Sequence, residues 1–142
     1  MLVSELLKKK HRPVVTAYPS TTVGHAVGLF KEKKIGAIMI CLPDGKIVGI
    51  VTERDVLHRE AEIGAAAMEL KVEEVMSHVY TCKPGDDLKS VMRLMAFKHV
   101  RHVPVVVGDE LKGMISIGDI IGSQLDETQL EVDVLRDYAR GH

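Results

Sequence analysis

Aromatic residues make up only 4% of this 142-residue chain, which contains no tryptophan and only two cysteines. Neither cysteine belongs to a CxxC pair, which argues against a disulfide framework and favours buried free thiols at Cys41 and Cys82. The sequence also lacks an apolar run of the roughly 20 residues needed to cross a bilayer. Its first ten residues place their charges after a short apolar stretch, the reverse of a secretory signal. We therefore expect a cytoplasmic protein that does not cross a membrane.

Excess charge of either sign is absent as well. Nineteen Lys and Arg residues against twenty Asp and Glu give a formal net charge of −1. A protein that binds long nucleic acid by counterion release is normally more basic, so nucleic acid is not expected as the main partner. The 46% hydrophobic and 27% charged residues fit a folded globular chain of one domain, or of two small units sharing a core.

An internal repeat organises the chain. Residues 79–84 echo residues 14–19 at an offset of 65, and residues 113–119 echo residues 49–55 at an offset of 64. The change of one residue falls between Asp44-Gly45 and Gly108-Asp109, where a loop can absorb it. Matching landmarks in the same order indicate a tandem duplication.

Each copy has the pattern β-α-β-β-α. Short extended segments at residues 14–16 and 79–81 end near a proline. One of Ser20, Thr21 and Thr22 can cap the next helix of the first copy, and Asp86 or Asp87 that of the second. Strands follow at residues 37–41 and 47–51, and at 103–107 and 111–115, before helices that begin near Thr52 and Ser116. We expect an α/β fold in which the two repeats pack face to face as a pseudo-two-fold pair.

This pattern places the first repeat at residues 1–66, the second at 67–125 and a helical tail at 126–142. Residues 61–68 are alanine-rich and predict a helix. Residues 3–7 and 72–76 are similar lead-in segments, and residues 70–76 are expected to lead into the second repeat. The tail places Leu130, Val134 and Tyr138 at helical spacing, which predicts a helix packed on the body or on a second subunit.

The repeated motifs resemble a known family. After the last strand of each copy comes Gly, two hydrophobic residues, Ser or Thr, two further residues and Asp, at residues 49–55 and 113–119. With residues 35–38 and 100–106, these motifs make the chain resemble a tandem cystathionine-β-synthase (CBS) domain pair, the Bateman module, over about residues 1–125. The resemblance implies regulation through adenosine-containing ligands, such as AMP, ADP, ATP, NAD or S-adenosylmethionine, bound in clefts between the copies.

The residue chemistry is compatible with that role. A carboxylate at the start of a helix can accept hydrogen bonds from both ribose hydroxyls, and a nearby Ser or Thr can cap the helix or contact the ligand. The family pattern forms a first cleft from Thr52, Arg54, Asp55, Thr81, Arg101, His102 and Pro104. It forms a second cleft from Thr16, Ile35, Gly36, Ala37, Ser116 and Asp119.

The two predicted clefts differ in charge. Two arginines and a histidine in the first cleft lead us to expect that it prefers charged nucleotides. The second, with Gly36 and Ala37 at the matching places, is expected to hold a nucleoside portion, part of a dinucleotide, or nothing. Thr52 and Ser116 can alternatively serve only as helix caps. The basic run at residues 8–12 is read as solvated surface, with a role facing phosphate or nucleic acid as the alternative.

The resulting functional hypothesis is a nucleotide sensor that acts on a separate protein. No nucleophile, base and orienting group emerge together, so we expect no enzymatic activity, no required cofactor and no metal site. The alternative is an interaction or oligomerisation module of the same fold that has lost its ligand. A homodimer is expected, with an interface supplied by the apolar helical residues Val23, Ala26, Val27, Leu88, Met92 and Met95.

Overall fold

A computed structural model describes residues 1–10 and 12–141 of the chain. The first repeat contains α1 (Val3–Lys9), β1 (Thr16–Ala17), α2 (Val23–Lys33), β2 (Ala37–Cys41), β3 (Ile47–Thr52) and α3 (Glu53–Ile63). Two 3₁₀ segments, Gly64–Glu69 and Val72–Glu74, connect it to the second repeat. That repeat contains α4 (Leu88–Lys98), β4 (His102–Val107), β5 (Glu110–Ser116) and α5 (Ile117–Gly141). The expected mixed α/β architecture is confirmed.

The two repeats form small sheets of matching design. In the first, β2 lies between parallel β1 and antiparallel β3, and in the second β4 pairs with antiparallel β5. Cys82 makes a parallel bridge to Val105 where a counterpart of β1 would lie. Both hairpins have a register irregularity at the equivalent place, after Ile40 and after Val105. The duplication therefore extends to the details of strand pairing.

The helices that follow β1 and its counterpart are also equivalent. The Thr22 side chain accepts a hydrogen bond from the backbone at the start of α2, and Asp87 does so for α4. Each helix ends on a left-handed residue other than glycine, Lys34 with φ 54° and His99 with φ 56°. This turn directs the chain back into the following strand, and it places Lys34 and His99 at the edge of the region between the repeats.

The lead-in segments are exchanged between the repeats. Val3 and Leu6 of α1 are buried in the hydrophobic core of the second repeat, with residues of α4, β4 and β5. Val72 and Val75 are buried in the core of the first repeat, with residues of α2, β2 and β3. The expectation that residues 70–76 lead directly into the second repeat is therefore corrected: this segment completes the first one.

Backbone hydrogen bonds hold both exchanged segments. The N–H of Val3 donates to Asp86 O at 2.9 Å, and that of Leu88 donates to Met1 O at 3.0 Å. In the other repeat, the N–H of Val23 donates to Leu70 O at 2.8 Å. Each segment thus satisfies backbone groups near the start of the helix that it covers, as well as burying apolar side chains.

A glycine makes room for each exchanged segment. Leu7 lies against Gly113 of β5, where a Cβ atom would be 2.7 Å from Leu7 Cδ2. In the other repeat, a Cβ at Gly49 of β3 would overlap Met76 Sδ and lie 2.9 Å from Met76 Cγ. The glycine that opens each repeated motif therefore leaves room for the side chain that crosses over it.

The predicted face-to-face pairing is confirmed. Ala37, Met39, Cys41 and Ile50 of the first sheet form one buried cluster with Met114 of the second. Every residue of β2 is buried, because one side of this strand faces the helices of its own repeat and the other faces the second repeat. Cys41 and Cys82 are buried free thiols, as expected, and burial raises the pKa of Cys82 to about 12.

Three expectations about the helices need revision. Val23, Ala26, Leu88 and Met95 are buried in their own protomer and cannot form a dimer interface. The predicted helix at residues 61–68 is divided between the end of α3 and the 3₁₀ segment Gly64–Glu69.

The tail is not a separate element, because α5 runs without a break from Ile117 to Gly141. The proposed domain boundaries remain predictions. No helix in the described residues is long and apolar enough to span a bilayer.

Substituting Gly49 by alanine tests the close packing of the exchanged segment. We expect the Gly49→Ala variant to lose about 1–3 kcal/mol of unfolding free energy, because the new methyl group overlaps Met76. The matched control is Gly28→Ala on α2, where the added Cβ would meet no atom within 4 Å apart from its chain neighbours and the nearby backbone of its own helix. That variant is expected to be neutral or more stable. Equal effects on both urea unfolding curves would contradict this role for Gly49.

Candidate functional site

Two clefts open between the repeats at positions related by the duplication. The first cleft has a volume of about 110 Å³, and the second has about 470 Å³. Sites for small organic ligands usually measure about 300–1,000 Å³. Of the two clefts, the second is therefore the one whose volume suits a small organic ligand.

The first cleft is organised around a helix-capping carboxylate. Asp55 Oδ2 accepts hydrogen bonds from the backbone N–H of Thr52 at 2.8 Å and from the Thr52 hydroxyl at 3.0 Å. The N–H of Asp55 donates in return to Thr52 Oγ1 at 3.3 Å, completing a capping box at the start of α3. Ser77 donates to the remaining oxygen, Oδ1, at 2.5 Å. Both carboxylate oxygens are thus bonded within the chain.

The second cleft repeats this arrangement with one difference. The N–H of Ser116 donates to Asp119 Oδ2 at 2.9 Å, and the N–H of Asp119 donates to Ser116 Oγ at 3.0 Å. Instead of a serine, the Lys10 ammonium contacts the carboxylate, with Nζ 2.7 Å from Oδ2 and 2.7 Å from the Met114 carbonyl oxygen. Within the described part of the chain, no hydrogen bond reaches Asp119 Oδ1. In the described residues, one oxygen of this cleft-lining carboxylate therefore has unused hydrogen-bonding capacity.

The ion pair sets the charge state of Asp119. Burial alone would raise the pKa of this carboxyl, but the hydrogen bonds from Lys10 and Ser116 outweigh burial and lower it. Asp119 is thus ionised at neutral pH and available as an acceptor. The side chains of Lys10 and Asp119 are 22% and 27% exposed, so the pair lies where an incoming ligand can compete with it.

Two further cations line the second cleft. Arg12 follows α1, Lys34 ends α2, and the Arg12 guanidinium donates to the Lys34 carbonyl oxygen at 3.3 Å. Both side chains are exposed at the mouth of the cleft, whereas Lys10 lies deeper. At the equivalent places the first cleft has Ser77 and His99. The second cleft therefore carries the stronger positive charge.

His102 at the start of β4 lines both clefts. Burial lowers the pKa of this imidazole, and the positive charges of Lys10 and Arg101 lower it further, while Asp119 acts in the opposite direction. A Cβ at Gly36 would lie 3.6 Å from the His102 ring, so the glycine backbone passes close to the imidazole. His102 is thus a neutral side chain that separates the two sites.

Most of the predicted site residues lie where the pattern places them. Thr52, Arg54, Asp55, His102 and Pro104 line the first cleft, and Ile35, Gly36, Ala37, Ser116 and Asp119 line the second. Three residues lie elsewhere. Thr81 and Arg101 are exposed outside the lining of the first cleft, and Thr16 lines a wide open groove near the hairpin turns. The assignment of all thirteen predicted residues to ligand contacts remains a prediction.

The expected distribution of positive charge between the clefts is reversed. Of the cations predicted for the first cleft, Arg101 is outside it, and Arg54 is directed to the His99 carbonyl oxygen at 3.5 Å. Sequence reasoning missed Lys10, Arg12 and Lys34 of the second cleft. The basic run at residues 8–12 was the available signal, but only the exchange of α1 brings it across to Asp119.

Comparison with known proteins identifies the family. The sequence model of the CBS domain matches residues 3–62 and 72–126, and the chain belongs to this family as a CBS domain pair, a regulatory module. The Arabidopsis thaliana protein "CBS domain-containing protein CBSX3, mitochondrial" is 28% identical, covering 98% of this chain and 72% of that protein. The Bacillus subtilis CBS domain-containing protein YhcV is 31% identical, covering 79% of each chain.

One relative is an enzyme. The chain is 30% identical to inosine-5'-monophosphate dehydrogenase of Methanocaldococcus jannaschii, covering 78% of this chain but only 21% of that protein. The match thus concerns a minor part of the dehydrogenase.

Solved structures show the same fold. The CBS-domain protein ATU1752 from Agrobacterium tumefaciens has a TM-score of 0.84 and 37% identity, covering 87% of this chain and 92% of its own. A hexameric CBS-CP12 protein from bloom-forming cyanobacteria has a TM-score of 0.77 and 30% identity, covering 99% and 85%. The Pyrobaculum aerophilum protein PAE2072, complexed with AMP, has a TM-score of 0.75 and 24% identity, covering 84% and 89%. A dimer of the present chain therefore remains a prediction, since at least one relative assembles as a hexamer.

The position of His102 leads to a pH dependence of stability. Its folded pKa lies below the ordinary value of 6.5, so the unfolded chain binds more protons just below that pH. We expect the unfolding free energy to fall as the pH drops from 7 toward 5, by at most about 1.4 kcal/mol per pH unit for this group.

Urea unfolding of the parent and two variants across this range checks the assignment. His102→Gln is expected to flatten the slope. The control, His58→Gln on the exposed side of α3, leaves His102 in place and should keep the slope. An unchanged slope in His102→Gln would assign the effect to other groups.

Proposed function

We propose that this CBS domain pair is a sensor of adenosine nucleotides that binds its ligand in the second cleft and acts on a separate protein. The observation that carries the proposal is the joining of a helix-start carboxylate, Asp119, with three cations in a cleft of about 470 Å³ formed by both repeats. A nucleoside monophosphate such as AMP has the matching chemistry, because its ribose carries a diol and its phosphate is a dianion a short distance away.

The ribose is assigned to Asp119. Its Oδ1 has no partner in the described part of the chain, and Oδ2 becomes available when Lys10 moves away. An ionised carboxylate offers two acceptor oxygens, and a hydrogen bond to a charged group contributes about 1.5–3 kcal/mol. The apolar lining by Val14, Ile35 and Met114 suits the flat face of a purine, and backbone groups of the adjacent strands can read its edge.

The phosphate is assigned to Lys10, Arg12 and Lys34. Arginine presents a planar set of donors that fits phosphate, and lysine adds a compact charge. In the absence of ligand, Lys10 neutralises Asp119, with Nζ 2.7 Å from Oδ2. In the proposed complex, Lys10 leaves the Asp119 carboxylate and binds the phosphate. The ribose hydroxyls then take the place of Lys10 at Asp119, and the phosphate takes the place of Asp119 at Lys10.

This exchange of partners supplies a route to regulation. Lys10 follows α1, whose Val3 and Leu6 are anchored in the core of the second repeat. A ligand that moves Lys10 thereby favours a different position of the connection between α1 and β1. The equilibrium shifts only by the difference in ligand affinity between the two positions. The regulated partner is a separate protein that contacts this connection or a surface linked to it.

Asp119→Asn tests the assignment of the cleft. By isothermal titration calorimetry we expect AMP to bind the parent more tightly than GMP, and Asp119→Asn to weaken AMP binding roughly tenfold or more. AMP is used first because PAE2072, a protein of this fold, is complexed with it. The matched control is Asp55→Asn, which changes the equivalent carboxylate in the first cleft and is expected to leave AMP affinity within about twofold of the parent.

The results separate three possibilities. A larger loss in Asp55→Asn than in Asp119→Asn would move the ligand to the first cleft. No binding of AMP, ATP, NAD or S-adenosylmethionine to folded, nucleotide-free protein would contradict the sensor proposal and favour the interaction module. Circular dichroism of each variant confirms that the helix caps survive the substitution.

Lys10→Met separates its two proposed roles. Removing the ammonium frees Asp119 for the ribose but removes one phosphate contact. We therefore expect the ratio of AMP affinity to adenosine affinity to fall at least severalfold, with adenosine itself binding as well as or better than to the parent. Lys8→Met, on the exposed side of α1, is the control and should leave the ratio unchanged. An unchanged ratio in Lys10→Met would show that Lys10 does not contact the phosphate.

A further inference from the structure

The second half of α5 projects from the folded body with its apolar residues in water. Ile120 and Ser123 are the last buried residues of this helix, and between residues 124 and 140 every residue except Val132, which is partly buried, is exposed. Leu125, Leu130 and Leu135 are 63%, 65% and 68% exposed. A helical stretch of this length is barely stable alone in water, so helix formation here calls for a packing partner.

Ile121, Leu125 and Leu135 follow a heptad pattern, whereas the exposed Leu130, Val134 and Tyr138 lie on other sides of the helix. Starting at Ile121, positions spaced alternately by four and three residues lie along one stripe of the helix, and this 3.5-residue period is that of a coiled-coil seam. Ile121 and Leu125 begin the stripe on the body, where they are 47% and 63% exposed, so the seam starts in the open and is not blocked by α4. The stripe consists of Ile121, Leu125, Thr128, Val132, Leu135 and Ala139.

The charges of α5 favour a second copy of this chain as the partner. Four of its acidic residues, Asp126, Glu127, Asp133 and Asp137, lie away from the seam. The charged positions that flank it are Glu131 and Arg136, five residues apart. In two parallel helices of the same sequence, this spacing brings each Glu131 next to Arg136 of the other copy. In an antiparallel pair the flanking charges face glutamines instead.

We propose that α5 pairs in parallel with α5 of a second copy of this chain, through the seam from Ile121 to Ala139. The pair has two-fold symmetry and places both bodies at the same end of the coil. The inference depends on α5 alone and is independent of the proposed nucleotide site. It also replaces the interface predicted from residues of α2 and α4, which are largely buried within the protomer.

Two leucines of similar exposure on different sides of α5, Leu130 and Leu135, provide the test. By light scattering after size exclusion, we expect the parent to have at least twice the 15.7 kDa mass of one chain, and Leu135→Asp to halve the parent mass. Leu130→Asp, on the far side of the helix from the seam, is expected to keep the parent mass. A monomeric parent, an unchanged mass in Leu135→Asp, or dissociation by Leu130→Asp would overturn the proposal.

A cross-link tests the parallel orientation without disturbing the seam. Ala139→Cys is expected to give a disulfide-linked dimer with oxidised glutathione, because position 139 faces its own copy only in a parallel pair. The parent, whose Cys41 and Cys82 are buried, is the control and should remain unlinked. No cross-link in Ala139→Cys would overturn the parallel arrangement.

A charge exchange tests the flanking pair. Arg136→Glu should weaken the dimer severalfold, and adding Glu131→Arg should restore its stability. Failure of that rescue would also contradict the parallel arrangement.

Discussion

The exchange of lead-in segments is the interaction on which the rest of this molecule depends. Leu7 packs over Gly113 and Met76 packs over Gly49. The segment before the first repeat thereby buries its apolar residues in the second repeat, and the segment before the second repeat buries its own in the first. A repeat of about 60 residues is marginal on its own. Because each needs the other's segment to complete its core, the two repeats are joined by more than the contact between their sheets.

The same exchange forms the candidate site. Lys10 lies 109 residues before Asp119, yet α1 brings the two into contact at 2.7 Å. In the first cleft, the equivalent connection delivers Ser77 to Asp55. The duplication thus produced two clefts of the same architecture. They differ in the residues at the ends of the lead-in segments, which supply a neutral serine to the first cleft and cations to the second.

The ion pair between Lys10 and Asp119 stabilises the second cleft, but an incoming ligand has to compete with it. Lys10 and Asp119 neutralise each other when the second cleft is empty, which avoids an unpaired charge in a half-buried position. A ligand that carries both a diol and a phosphate can bond to Asp119 and Lys10 at once. A ligand with only a diol or only a phosphate leaves one of these two charged residues without a partner. Under the proposed function, this pairing gives selectivity for the whole nucleotide.

Local patterns determined much of this protein. The duplication, the β-α-β-β-α order, the strands of each hairpin, the buried thiols and the Ser/Thr-Asp helix starts could be predicted, because each depends on residues close together in sequence. Tertiary structure alone decided which repeat each lead-in segment joins, which cleft has room, and which cations reach it. The basic run at residues 8–12 shows why: its charge is visible in the sequence, but its position beside Asp119 results from packing between segments more than 100 residues apart.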